Sequence, residues 1–273
     1  MAALEVISGF VTAAGATQTA ITVSQGTTTI RNFKTGFRAF LFNMWRTGNG
    51  AAGTGGTLRV HSPRLHDDVQ GIRMQSVAAF TQTLLPYGFP QELVAQDTLT
   101  VEMSGSAVAG DIENGNLLVY YENLEGSNAK FIGLQELAKR IRNVFTTTHA
   151  LVGAVSGAYG AAQALSAGVT GDLSKANTDY ALLGMTASET AAGNGSTVRI
   201  IGPDTGNLGI GIPVMQAGGQ FVSENWFPDM CRTFGVDAIP VINSANKNGT
   251  FLSVLNNENA NTVSASLVWA QLS

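Results

Sequence analysis

Thr57-Leu58-Arg59-Val60-His61-Ser62-Pro63 and Thr197-Val198-Arg199-Ile200-Ile201-Gly202-Pro203 share one pattern, T-[LV]-R-[VI]-x-x-P, 140 residues apart. Each follows a glycine-rich turn, Gly53-Thr54-Gly55-Gly56 or Gly193-Asn194-Gly195-Ser196. Self-similarity at a fixed spacing marks a duplicated structural unit. The same spacing returns at Gly71-Ile72 with Gly211-Ile212, and at Asp97-Thr98-Leu99-Thr100-Val101 with Asp237-Ala238-Ile239-Pro240-Val241. Phe89-Pro90 matches Phe227-Pro228 with a short slip. Asn114-x-Asn116 followed by Leu118-Val119-Tyr120 matches Asn259-x-Asn261 followed by Leu267-Val268-Trp269. The slips fall in loops, where insertions are tolerated. A tandem duplication is expected, with Arg59 superposing on Arg199 and Asp97 on Asp237.

Alternation, β-branched content and flanking turns place strands at Leu4–Thr12, Thr19–Ser24, Thr27–Phe33, Phe37–Arg46, Thr57–His61, Gly71–Gln75, Thr98–Ser104 and Asn116–Glu122. The second half yields Tyr180–Ala187, Thr197–Ile201, Gly209–Met215, Ala238–Asn243, Thr250–Leu255 and Val263–Gln271; its opening strands are weakest in pattern. Between the halves, Leu134, Leu137, Ala138, Ile141, Val144 and Phe145 recur at helical spacing, with Lys139, Arg140 and Arg142 on the other face. This predicts a connecting helix over Leu134–Phe145. The expected fold is all-β: two tandem eight-stranded jelly-roll sandwiches, a double jelly roll, with a short connecting helix. The boundaries read as a first jelly roll at 1–128, a helical connector at 129–147 and a second jelly roll at 148–273.

Composition narrows the function. Of 273 residues, 44% are hydrophobic and 12% charged, roughly half the usual charged share. A surface so poor in charge fits a chain that covers itself with further copies. The 32 glycines suit a β protein with many turns. The net charge is −4, and the first thirty residues contain Glu5 and no Lys or Arg, so no basic arm for direct, specific nucleic-acid binding is expected. The single cysteine, Cys231, excludes an internal disulfide and fits production in a reducing cytoplasm. The N-terminus lacks the cationic segment of a secretory signal. Asn143 to Gly171 carries no charge and is long enough to span a bilayer, but its Ala, Gly, Ser and Thr content reads as strands and turns.

Chemistry-bearing motifs are few. His61-Ser62-Pro63-Arg64-Leu65-His66-Asp67-Asp68 gathers two imidazoles and two carboxylates, a local candidate for a divalent metal. Its repeat partner, Ile201 to Leu208, has neither histidine, so a polar surface loop is expected. Gly48-Asn49-Gly50-Ala51-Ala52-Gly53 echoes a nucleotide loop but precedes a strand rather than a helix. Phe37, Phe40, Phe42 and Trp45 read as core and interface filling rather than a ligand platform. Cys231 beside Arg232 reads as an inert thiol. No catalytic, cofactor-binding or metal residue is assigned, and no cofactor is expected. Trp45, Trp226 and Trp269 are taken as core or interface anchors.

The repeated strands at Thr57–Pro63 and Thr197–Pro203, Asp97–Val101 and Asp237–Val241, and Leu118–Tyr120 and Leu267–Trp269 give a pattern covering most of the chain. In this the chain resembles the double jelly-roll major capsid proteins of tailless icosahedral viruses. The resemblance implies a small bacteriophage capsid protein made in the host cytoplasm and residing in the virion. It implies a homotrimer acting as a pseudo-hexameric capsomer, contacts with neighbouring capsomers and a penton protein, and an internal viral membrane beneath the shell. Short loops leave little room for tower-like decorations, which puts a receptor-binding role in doubt. Two alternatives stay open: a secreted tandem jelly-roll glycan-cleaving enzyme with carboxylates between its sandwiches, and a phage tail or adhesin module.

Overall fold

The computed structural model describes residues 1–48, 56–65, 70–76, 82–84, 90–154, 157–189, 195–214, 216–217, 220–255 and 262–273. Over them the chain is mostly β, in four antiparallel sheets with two small helices, a jelly-roll-like arrangement. The first half contributes β1 (Ala3–Thr12), β2 (Thr19–Ala20), β3 (Thr22–Gln25), β4 (Ala39–Gly48), β5 (Gly56–His61), β6 (Ile72–Ser76), β7 (Gln82–Leu84), β8 (Gln91–Leu93), β9 (Thr100–Met103) and β10 (Ile112–Tyr121). The second contributes β11 (Phe131–Ile132), α1 (Leu134–Arg140), β12 (Ile141–Val152), β13 (Gln163–Ala164), β14 (Asp179–Glu189), β15 (Ser196–Ile201) and β16 (Ile210–Val214). It continues through β17 (Gln216–Ala217), β18 (Gln220–Ser223), α2 (Trp226–Phe234), β19 (Ile239–Asn243), β20 (Phe251–Leu255) and β21 (Thr262–Leu272).

Each half pairs a large sheet with a small one. The first large sheet runs β3-β1-β10-β4-β7 with β8 also on β4, and its small sheet runs β2-β9-β5-β6. In the second, β12-β21-β14 continues to β18-β17 and to β19-β11, and the small sheet runs β13-β20-β15-β16. Thus β1-β10-β4 recurs as β12-β21-β14, and the two small sheets repeat strand for strand. Even an irregularity recurs: the β4–β10 ladder skips Phe42, and the β14–β21 ladder skips Leu183. Aligned on these bulges, Val6 corresponds to Thr146, Leu118 to Val268 and Trp45 to Thr186.

Register supports one sequence match and corrects three. Arg59 sits opposite Arg73 and Glu102, and Arg199 sits in the same way opposite Gly211 and Ser253. Gly71-Ile72, however, corresponds to Gly209-Ile210, because Val60 faces Ile72 and Ile200 faces Ile210. Leu118 corresponds to Val268 rather than Leu267. A one-residue slip exchanges the faces of a strand, and Leu118 points out of its sandwich while Leu267 points into its own core. Asp97 and Asp237 do not correspond at all: β9 lies in a small sheet and β19 in a large one, where its counterpart is β8. A polar residue followed by alternating apolar positions begins many strands and does not identify which one. Phe89, Asn259 and Asn261 lie outside the described residues.

The helix expected over Leu134–Phe145 ends at Arg140. From Ile141 the chain is strand, paired to β21 as far as Val152. Ile141, Val144, Thr146, Thr147 and Thr148 are stiff β-branched residues suited to a pleated surface, and the long ladder outweighs half a segment of helical periodicity. The expected connector at 129–147 therefore holds β11, α1 and the start of β12, with β11 built onto β19 of the second sandwich. The strand expected at Thr27–Phe33 makes only isolated bridges, Thr29 to Thr98 and Phe33 to Leu124. Helix α2 was not anticipated, although Pro228 in its first turn and Gly235 at its C-terminal cap, with φ 67°, are ordinary helix signals.

Ile7, Leu41, Met44, Leu117 and Tyr121 fill the first sandwich with Leu58, Val60 and Met103 of its small sheet. The opposite face of the same large sheet, with Leu4, Val6, Phe40, Trp45, Leu118 and Tyr120, joins the core cluster of the second sandwich. Covered on both sides, β10 is buried at every position, whereas β21 alternates. Four β layers therefore stack in order: small, large, small, large.

Candidate functional site

The seam between the sandwiches is built from the outward residues of β1, β4 and β10 on one side and of β15, β16 and α2 on the other. Val6 and Trp45 approach Gly211 so closely that a Cβ there would stand 2.7 Å from Val6 Cγ2 and 3.2 Å from Trp45 Cη2. Glycine at this position is what lets the two layers meet. Trp45 Nε1 donates to Thr197 Oγ1 at 2.8 Å, and its ring meets Trp226 edge-on at 6.1 Å. Phe42 stacks between Tyr120 and Phe234, at 4.6 and 4.4 Å.

Arg199, Tyr159 and Ser8 enter the seam with partners, whereas the buried Trp226 Nε1 makes no hydrogen bond among the described residues. The Arg199 guanidinium lies 4.2 Å from the Tyr159 ring centre, donates to Ser253 Oγ at 3.1 Å and reaches Gln25 across the seam. Tyr159 Oη and Ser8 Oγ share a hydrogen bond at 3.0 Å. Burial pushes the Tyr159 hydroxyl up to about 12 against the opposing pull of Ser8 and Arg199, and burial lowers Arg199 from its ordinary value.

One cleft of about 400 Å³ opens at the seam, lined by Tyr120, Glu122, Lys130, Arg140, Asp179 and Asp237 among others. It places carboxylates between the sandwiches, as the enzyme alternative requires. Two of them are committed. Glu122 accepts from the Arg38 backbone at 2.8 Å and from its guanidinium at 3.1 Å, and Asp179 accepts from Asn243 at 2.8 Å and from Arg140 at 3.4 Å. Tyr120 is held protonated by burial, with Asp237 and Glu122 adding to the effect. Glu122 and Asp179 thus act as structural acceptors.

The remaining predicted residues are placed individually. His61 is not on a surface loop: it is buried in β5, 3.1 Å from Arg59 Nη2 and 3.4 Å from Glu102. Strand alternation turns its side chain to the same face as Arg59. His66, Asp67 and Asp68 lie outside the described residues, as do residues 49–53 of the glycine-rich loop. Among the described residues, no group of three or more His, Cys, Asp and Glu side chains is placed to hold a metal ion. Cys231 is buried, and burial raises its thiol above the ordinary value. No described helix is long and apolar enough to cross a membrane.

Trp45 and Trp226 meet at the seam inside the chain, while Trp269 is closed in the second core with Nε1 on Thr147 Oγ1 at 2.9 Å. All three are buried. Sequence reasoning missed two buried polar features of the paired sandwiches. Arg46 and Glu113 form an ion pair at 2.6 Å, each almost wholly enclosed. His149 is fully buried in the second sandwich beside Thr147, and burial holds its imidazole below the usual range.

No family model matches the sequence, and no curated protein matches it. Among solved structures, the chain overlaps a chain of the Sulfolobus turreted icosahedral virus particle at 13% identity and a TM-score of 0.26, over 94% of this chain and 60% of that one. The STIV MCP overlaps at 7% identity and 0.22, over 98% and 96% of the two chains. The PBSX exported protein XepA overlaps at 9% identity and 0.22, over 98% and 86%. The chain thus spans less than two thirds of the first of these. Overlaps at such TM-scores establish neither the fold nor a role for the chain.

Proposed function

We propose that the chain is the major capsid protein of a tailless icosahedral bacteriophage, a double jelly roll whose three copies close into a pseudo-hexameric capsomer. The observation that carries this reading is the repeated strand order, β1-β10-β4 with β2-β9-β5-β6 against β12-β21-β14 with β13-β20-β15-β16. A duplicated sandwich gives one chain two similar lateral units, and three such chains present six nearly equivalent edges, as a closed shell of hexagons needs. The low charged fraction, 12%, supports extensive burial against like copies. In this reading the protein is made in the host cytoplasm, resides in the virion, meets a penton protein at the fivefold positions and covers an internal membrane. Catalysis has no part in it. The glycan-cleaving alternative draws on the seam carboxylates, and their commitment to Arg38, Arg140 and Asn243 counts against it. Electron microscopy of the purified protein's source particle tests the reading: icosahedral shells with hexagonal capsomers are expected, and a fibre, a tail or an unassembled enzyme would overturn it.

A further inference from the structure

The seam joins the outer face of one large sheet to the outer face of the next small sheet in the stack. The same two kinds of face recur at the ends of the chain, where no further sheet lies over them among the described residues. At one end stands the large sheet of the second sandwich, with Val144, Thr146, Thr148 and Val152 of β12 and Ser266 and Val268 of β21 turned outward. None of residues 143–152 and 262–270 in these strands is Asp, Glu, Lys or Arg. Val144 is 51% and Val152 47% exposed, and Val169 beside Thr148 is 64% exposed. Beyond the exposed Arg142 at the start of β12, a stretch of sheet face with open valines and no charge lacks the features that keep a surface solvated. At the other end stands the small sheet of the first sandwich, which presents Thr57, Arg59, Arg73, Gln75 and Glu102.

We propose that these two end faces are one interface, in which the large sheet of the second sandwich docks onto the small sheet of the first sandwich of another copy, head to tail, repeating the intrachain seam between molecules. This rests on the shell reading above and assigns its contact surface. The seam supplies the register. Val6 faces Gly211 within the chain; their counterparts are Thr146 and Arg73, so Thr146 of one copy comes to stand against Arg73 of the next. Trp45 donates to Thr197; their counterparts are Thr186 and Thr57. Arg73 occupies the place of a close-approach glycine, so the contact between copies is wider than the seam, and hydroxyls at Thr146, Thr148 and Ser266 are acceptors for its guanidinium. Arg59 carries its own counter-charge, since Glu102 accepts from its Nε at 2.8 Å, and therefore enters the contact neutralised. A head-to-tail contact of this kind closes a ring when its rotation divides the circle.

The test is a charge pair read by native mass measurement over a range of concentrations. Thr146→Lys sets a second cation against Arg73 and is expected to weaken trimer formation at least about tenfold, with the monomer's thermal unfolding unchanged because position 146 is exposed. Adding Arg73→Glu to Thr146→Lys is expected to restore trimers. Trimers formed equally by wild type and Thr146→Lys would overturn the assignment of the face while leaving the shell reading intact. Loss in Thr146→Lys without recovery in the double variant would overturn the pairing with Arg73. A wild-type chain that stays monomeric would overturn the shell reading itself, and this inference with it.

Discussion

The two large sheets share a strand order and a bulge, yet their outer faces have diverged. Val6, Trp45 and Leu118 in the first stand where Thr146, Thr186 and Val268 stand in the second. The first face is aromatic and closed; the second is small, hydroxylated and open. What covers a face, rather than the fold beneath it, sets its composition. The divergence extends inside. Where the first sandwich buries the Arg46–Glu113 pair, the aligned positions of the second are Ala187 and Val263. One architecture tolerates an ion pair or two apolar residues at the same pair of positions.

The largest expected effect tests the covered face against the open one. Trp45→Ala removes a fully buried indole and leaves Thr197 without its donor, and should lower stability by about 3–5 kcal/mol in denaturant unfolding. Its counterpart Thr186→Ala should stay within about 0.5 kcal/mol. Equal losses at the two sites would break the comparison.

The buried ion pair comes next. Arg46→Ala leaves the buried Glu113 carboxylate with the Ser106 N–H but without its counter-charge, and should cost about 3–5 kcal/mol. Arg46→Ala combined with Glu113→Val copies the second sandwich and should recover most of that loss, since a well-packed apolar pair commonly equals a buried ionic one. A double variant no better than the single one would mean that the surroundings of the pair have diverged as well.

A smaller effect is expected at the close approach. Gly211→Val forces a side chain into Val6 and Trp45 and should destabilise by about 1–3 kcal/mol. Arg73→Ala, at the corresponding place on the open face, should leave the stability of the monomer within about 0.5 kcal/mol.

The mildest effect is a pH dependence confined to the second sandwich. Burial holds the His149 imidazole below its ordinary value, so as pH falls the unfolded chain takes up its proton first. The stability from neutral His149 is full above about pH 6.5 and is lost as pH drops below that toward the folded value. The melting temperature of the wild type should fall more than that of His149→Gln on going from about pH 7.5 to about 5. Parallel curves would show that His149 is not the group responsible.

Much of this was legible in the chain. The 140-residue spacing of Arg59 and Arg199 found two strands that do correspond, and alternation placed β1, β4, β10, β14 and β21 to within a few residues, but not β12, the longest described strand. The register of the other matches was not legible, because apolar alternation has a period of two and fits several strands equally well. Helical spacing in Leu134–Phe145 was overruled where β21 offered a ladder to Ile141 and beyond. The seam was the least visible feature. Leu118 and Leu267 look alike in sequence, and only the stacking of the sandwiches decides which faces a neighbouring layer and which its own core. For the same reason Trp45 could be suspected as an anchor, but its partner Thr197 could not be named.

The most direct test of the shell reading is the native mass of the purified full chain across concentration. Assembly predicts a species at three times the 28.4 kDa subunit mass, growing into larger shells as concentration rises. A single species at 28.4 kDa at every concentration would contradict it.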